Sequence, residues 1–208
     1  MLSLIALFPT PCLSSLSPSL GSSWGFDGRA LQHARYFTQK LDHFGSSSDT
    51  WQQAYFVNDE HYTKGPIFLY IGGEGPLSSY SVVSNFIVDW LPQVGGSLYA
   101  LEHRYYGCHN ASSCPKAPTG SPAEEMKYLT TEQALADLAS FRDYAIAKYS
   151  LQGRPWVAIG GSYPGMLAAF VRAVYPDHFV ASVASSAPVH GVLDFTGFQD
   201  AIAKGYQV

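Results

Sequence analysis

Residues 156–170 read WVAIGGSYPGMLAAF, an apolar run that meets a Gly-Gly-Ser turn and leaves as a helix of small residues. A strand that turns sharply into a helix lifts the side chain at the turn clear of the sheet, which is how a serine hydroxyl is presented as a nucleophile. Ser162 is therefore the candidate nucleophile, with Gly160 and Gly161 expected to let strand and helix approach closely and Gly165 to keep the turn small. Pro164 stands where the common Gly-x-Ser-x-Gly pattern has its second glycine. Proline is tolerated in a first helical turn, because that N–H has no intrahelical partner. The oxyanion donor in such a turn is the N–H of the residue after the nucleophile, here Tyr163, and proline at 164 spares it.

Working outward, the chain alternates apolar runs with helical patterns. Thr50–Asn58 has alternating large residues and reads as a strand, while IFLYIGG after Pro66 and SLYALEHR over Ser97–Arg104 read as strands buried on both faces. A helix is expected through Phe86 to Leu91. Thr130 and Gln133 fit a capping box for a second helix, on which Leu135, Leu138, Phe141, Ala145 and Tyr149 recur at helical spacing. The helix after Ser162 should stop at Tyr175, before Pro176, and Phe179–Val189 reads as a further apolar strand. Such alternation implies a mostly parallel sheet covered on both faces, with its site at the carboxyl ends of the strands. Those ends carry GGEG, EHRYYG, GGSYPG and SSAPV.

Within that edge, Gly73 of the Gly72–Gly75 loop is the candidate for the second oxyanion N–H. Glu74 beside it is a candidate receiver for a substrate's ammonium group. Glu102, His103 and Arg104 read as a charge network bracing a strand end rather than as substrate contacts. His190 ends the last apolar run, with Asp194 close behind, but strand-end histidines are more often loop residues than catalytic bases.

The 208 residues are 47 % hydrophobic and 13 % charged, with a net charge of −4. That composition suits a folded domain, and without a Lys/Arg block it excludes nucleic acid and an anionic membrane surface as partners. The uncharged start MLSLIALFPTPCLSSLSPSL contains an apolar run too short to span a bilayer. It reads as a signal peptide over residues 1–20, although the basic n-region is missing. A Ser/Gly-rich lead follows over 21–35, and the folded part begins with YFTQKLDHF, running from 36 to 208. Beyond Cys12, the cysteines are Cys108 and Cys114, whose five-residue spacing suits a small disulfide in an oxidising compartment. Asn110-Ala111-Ser112 between them is an acceptor sequon for N-glycosylation. Two thiols with His109 alone do not make a four-ligand zinc site, and no metal or cofactor is expected.

The runs FTQKLDHF, WQQAYFVN, GPIFLYIGGEG, LEHRYYG, YLTTEQALADLASF, GGSYPGMLAAF and ASVASSAPVHGVLDF come in order over about residues 36–200. Together they resemble the serine peptidase family of prolyl carboxypeptidase, dipeptidyl peptidase II and thymus-specific serine protease, the last type most of all. The resemblance implies an α/β-hydrolase core, a helical cap inserted later, a Ser-Asp-His triad, and peptide substrates commonly cleaved after proline. It also implies secretion or delivery to a lysosome-like or vacuolar compartment, with no stable membrane insertion, and leaves a homodimer open to the full-length enzyme. Ser162 matches the family's nucleophile. The family's triad Asp and His fall far downstream of the serine, so the chain reads as an incomplete core without its cap, expected to be inactive alone. Two other readings stay open: an esterase on the same fold, and a truncated paralogue that persists as a binding protein.

Overall fold

A computed structural model describes residues 33–107 and 126–206. The signal peptide, most of the lead, Cys108, Cys114 and Asn110 lie outside those residues.

The backbone forms one six-stranded sheet in the order β1-β2-β4-β3-β5-β6. β1 (Arg35–Lys40) runs antiparallel to β2 (Thr50–Asn58), and β2 antiparallel to β4 (Ser97–Leu101). β3 (Ile67–Ile71), β4, β5 (Trp156–Gly161) and β6 (Ala181–Ser185) are mutually parallel.

Side-chain alternation along these strands accounts for both covered faces. Tyr55, Val57, Leu69, Tyr99, Leu101, Trp156 and Ala158 pack with Leu138 and Phe141 of α3 (Thr131–Tyr149) and Leu167 and Val171 of α4 (Tyr163–Val174). Their immediate neighbours Phe56, Phe68, Leu98, Ala100 and Ile159 point the other way. They pack with Val82 of α1 (Tyr80–Val83), Ile87, and Leu91 of α2 (Leu91–Val94). A strand buried on both faces has no polar side to show in its sequence, which is why these runs are continuously apolar.

Three expectations need adjusting. The helix through Phe86 to Leu91 is instead two single turns, α1 and α2, with a turn between them. The Asn85 side chain accepts from Ile87 N–H at 3.1 Å, a local bond that competes with a helical ladder. Pro92 then sits in the first turn of α2, and Gly95 ends it at φ 61°. β4 stops at Leu101 rather than Arg104, because the chain turns with Tyr105 at φ 73°. β6 covers only Ala181–Ser185, and Ser186 at φ 49° turns the chain away. Pairing on one side only, β6 is mostly exposed, and α5 (Gly197–Gly205) has no buried residue.

The capping box at α3 is half formed. Thr130 accepts from Gln133 N–H, but the Gln133 side chain leaves the helix. It accepts from His43 N–H at 2.9 Å and donates to Asp42 at 2.7 Å, tying α3 to the turn after β1.

No helix among the described residues is long and apolar enough to cross a membrane.

Candidate active site

Ser162 sits between the last residue of β5 and the first of α4, with φ 59° and ψ −129°. Few non-glycine residues hold a positive φ, and the cost of doing so must be met by surrounding contacts. Two are visible. Ser162 N–H donates to the Ser185 carbonyl at 2.9 Å, and the Ser162 carbonyl accepts from Met166 N–H at 3.1 Å. The turn is thus fastened to β6 on one side and to α4 on the other. The side chain itself is exposed.

The close crossing of strand and helix depends on Gly160 and Gly165, not on Gly160 and Gly161. A Cβ on Gly160 would overlap the Pro164 carbonyl, and one on Gly165 would lie 2.7 Å from the Ser185 carbonyl oxygen. A Cβ on Gly161 would meet nothing within 4 Å. Pro164 has its own place in this packing. A Cβ on Gly73 would stand 3.1 Å from the Pro164 ring, so the loop after β3 lies against the turn through the residue that departs from Gly-x-Ser-x-Gly. Gly73 and Tyr163, the two candidate oxyanion donors, therefore belong to segments in direct contact.

The loop after β3 is also tied to the end of β4. Leu77 N–H donates to Glu102 Oε2 at 3.1 Å, and Glu102 is buried. Glu74 is exposed, yet its charge acts on His103, Tyr106 and Tyr163. The Tyr163 hydroxyl lies 2.9 Å from His103 Nε2, and the His103 ring stands 5.2 Å from Tyr106 and 5.4 Å from Tyr163, centroid to centroid. Burial pushes the Tyr163 hydroxyl up to about 12, with the nearby Tyr106 and Glu74 adding to it. Burial likewise holds His103 below the ordinary histidine value.

Arg104 points away from this edge into the core and is fully buried. Its Nε and Nη2 donate to the two Asp137 carboxylate oxygens, each at 2.7 Å. Its Nη1 donates to the carbonyls of Tyr128 at 2.8 Å and Leu41 at 3.2 Å. His43 Nε2 is also 2.7 Å from Asp137 Oδ1. Gln39 and Gln53, both buried, extend the network from the Asp137 carbonyl to the Glu102 carbonyl. The expected bracing role of the Glu-His-Arg run thus has a partner that was not anticipated. Asp137 carried a signal all the same: a carboxylate four residues before Phe141, on the buried stripe of α3, requires a cation.

His190 is exposed, and among the described residues no hydrogen bond joins Ser162 Oγ to a histidine. A cavity of about 500 Å³ opens beside the turn, with Tyr70, Tyr80, Phe86, Ile159, Gly161 and Val183 among its walls.

Comparison with known proteins agrees with the geometry. The family described as serine carboxypeptidase S28 matches residues 39–208. The human (Homo sapiens) thymus-specific serine protease is 38 % identical over 194 residues, 91 % of this chain and 37 % of its own length. The Mus musculus lysosomal Pro-X carboxypeptidase is 40 % identical over 159 residues, 74 % of this chain and 32 % of its own. The chain thus spans about a third of the length of these curated relatives. Among solved α/β-hydrolase structures, the Pyrococcus furiosus esterase PF2001 superposes with a TM-score of 0.53 at 16 % identity, over 90 % of this chain and 61 % of its own. Rv0554 from Mycobacterium tuberculosis does so at 0.51 and 19 %, over 83 % and 53 %. These two likenesses speak for the fold alone.

Proposed function

We propose, since this chain belongs to the serine carboxypeptidase S28 family, that it carries the nucleophile and oxyanion donors of a serine-type peptidase acting on proline-containing peptides. The observation that carries the reading is Ser162, exposed at φ 59° on a turn that two backbone hydrogen bonds and the Gly73–Pro164 contact hold in place.

In this mechanism Ser162 Oγ attacks the peptide carbonyl while a base takes its proton. The N–H groups of Tyr163 and Gly73 face the oxygen as it becomes negative, the term that contributes most in acyl transfer. The amine leaves with the proton returned by the base, and water then hydrolyses the acyl-enzyme by the same route. The fold's chain order of serine, acid, histidine puts the base after Ser162. With His190 exposed and unbonded to Ser162, we assign that role to polypeptide outside the described residues. The cavity beside Gly161, walled by aromatic and aliphatic side chains together with Ser81, Ser84, Asn85 and Ser185, has the size of a subsite for a substrate side chain. The Pro-X specificity named for one relative supports a preference for proline, and its lysosomal naming supports a lysosomal or secreted setting.

The test is a substrate panel offered to protein expressed from its complete gene: peptides with Xaa-Pro at the amino end, peptides with Pro-Xaa at the carboxyl end, and small acyl esters. The expected result is cleavage after proline, with residues 1–208 alone turning over none of them. Hydrolysis of esters without peptides contradicts the reading, as does proline-directed cleavage by residues 1–208 alone.

Glu74 gives a finer prediction. If its carboxylate receives a substrate ammonium group, Glu74→Gln raises KM for free-amine peptides roughly tenfold, the scale of one charge-assisted hydrogen bond, and leaves N-blocked peptides unchanged. Equal effects on both substrate sets remove Glu74 from that role.

A further inference from the structure

We infer that His103 is a positioning residue for the nucleophile turn: through the Tyr163 hydroxyl it fixes the peptide unit that joins Ser162 to its oxyanion donor. The inference rests on Ser162 being the nucleophile, but the hydrogen-bond chain behind it can be read from the structure directly.

His103 Nδ1 lies 2.8 Å from the Arg104 carbonyl oxygen. A carbonyl can only accept, so Nδ1 carries the hydrogen, and the neutral ring then has Nε2 free to accept. The group facing Nε2 at 2.9 Å is the Tyr163 hydroxyl, which therefore donates. Polarity thus runs one way, from Tyr163 O–H to Nε2 and from Nδ1–H to the Arg104 carbonyl.

That carbonyl is itself immobilised. Arg104 is anchored through its guanidinium to Asp137 on α3 and to the carbonyls of Leu41 and Tyr128. Tyr105 beyond it holds φ 73°, a left-handed turn that non-glycine residues seldom adopt. A continuous polar chain therefore runs from the middle of α3, through Arg104 and His103, to the first residue of α4. Tyr163 occupies the position where a helix has no ladder bond of its own to offer its N–H. Its side chain supplies the fixing that the backbone there lacks.

The charged and titratable groups around the ring are Arg104, Asp137, Glu74, Tyr106 and Tyr163. Burial dominates and the Arg104 charge works in the same direction, while the hydrogen bond to the Arg104 carbonyl and the charges of Asp137 and Glu74 oppose. The ring accordingly stays neutral to a lower pH than an ordinary histidine, and the clamp keeps its polarity over the same range.

Three variants of protein expressed from its complete gene test the assignment: Tyr163→Phe, His103→Gln and His103→Leu. Two readouts are paired, steady-state hydrolysis and ¹⁵N NMR of the His103 ring. The expected spectrum shows the Nδ1–H tautomer with Nε2 unprotonated at neutral pH, and a titration midpoint below that of an ordinary histidine. In the assay, Tyr163→Phe lowers kcat about fivefold with KM within twofold, the scale of one neutral hydrogen bond. His103→Leu lowers it further, about tenfold or more, while His103→Gln, which keeps an acceptor at the Nε2 position, recovers most of the loss. An Nε2–H tautomer overturns the proposal whatever the kinetics. So does an unchanged kcat in Tyr163→Phe, or a Gln variant no better than Leu. Should His103→Leu fail to fold, Tyr163→Phe and the spectrum decide alone. A wild-type protein that hydrolyses nothing counts against Ser162 as nucleophile, and the ring's tautomer still upholds or overturns the clamp.

Discussion

Asp137→Ala should destabilise the protein by about 3–5 kcal/mol, the usual cost of leaving a buried charge without its partner. Arg104 is fully buried, and among the described residues its bidentate bond to Asp137 is its only carboxylate contact, its other acceptors being backbone carbonyls. Deleting the carboxylate strands a cation where water cannot reach it, and removes the partner of His43 as well. A domain of ordinary stability holds roughly 5–15 kcal/mol, so most of the margin would go. Urea unfolding followed by circular dichroism measures this as a shift in midpoint at unchanged slope. Replacing both partners by apolar residues, Arg104→Met with Asp137→Leu, should recover a large part of the loss, because a well-packed apolar pair escapes the desolvation cost of the ions. A loss below about 1 kcal/mol in Asp137→Ala would show that the Arg104 site is wetter than its burial implies.

How this network escaped a reading of the sequence while the nucleophile turn did not comes down to the range of the contacts. The turn is local: the strand, Gly160, Ser162, the spared Tyr163 N–H and the helix all lie between Trp156 and Val174, and each constrains its neighbours sterically. β3, β4 and β5 were legible for a similar reason, since burial on both faces leaves a continuous apolar run. The Arg104–Asp137 pair spans 33 residues, His103–Tyr163 spans 60 and His43–Asp137 spans 94. No spacing rule reaches that far, because such pairs are set by which strands neighbour which. The place of β2 between β1 and β4 is likewise a non-local fact, invisible in the alternation of Thr50–Asn58.

Two finer features have steric explanations. Gly161 looked structural because it adjoins the serine, yet its missing side chain would face open space, while Gly165 fills the role through its approach to Ser185. Pro164, tolerated in the first helical turn, has a further place: its ring meets Gly73, so a larger residue at 164 and a bare glycine at 73 belong to one packing solution. The same contact brings the proposed oxyanion donors onto adjoining segments, a connection between fold and chemistry that neither motif reveals alone.

Whether Ser162 is the nucleophile is decided by substituting it in protein expressed from its complete gene. Ser162→Ala removes one oxygen from an exposed side chain that makes no core contact. Its unfolding midpoint should stay close to wild type, while peptide hydrolysis falls by at least about 10³-fold, the scale of losing a catalytic serine. A fluorophosphonate probe followed by peptide mass mapping locates the reacting atom in the same preparation. One adduct is expected, on the peptide containing Ser162 and absent from Ser162→Ala. An adduct elsewhere, or hydrolysis that survives in Ser162→Ala, contradicts that role.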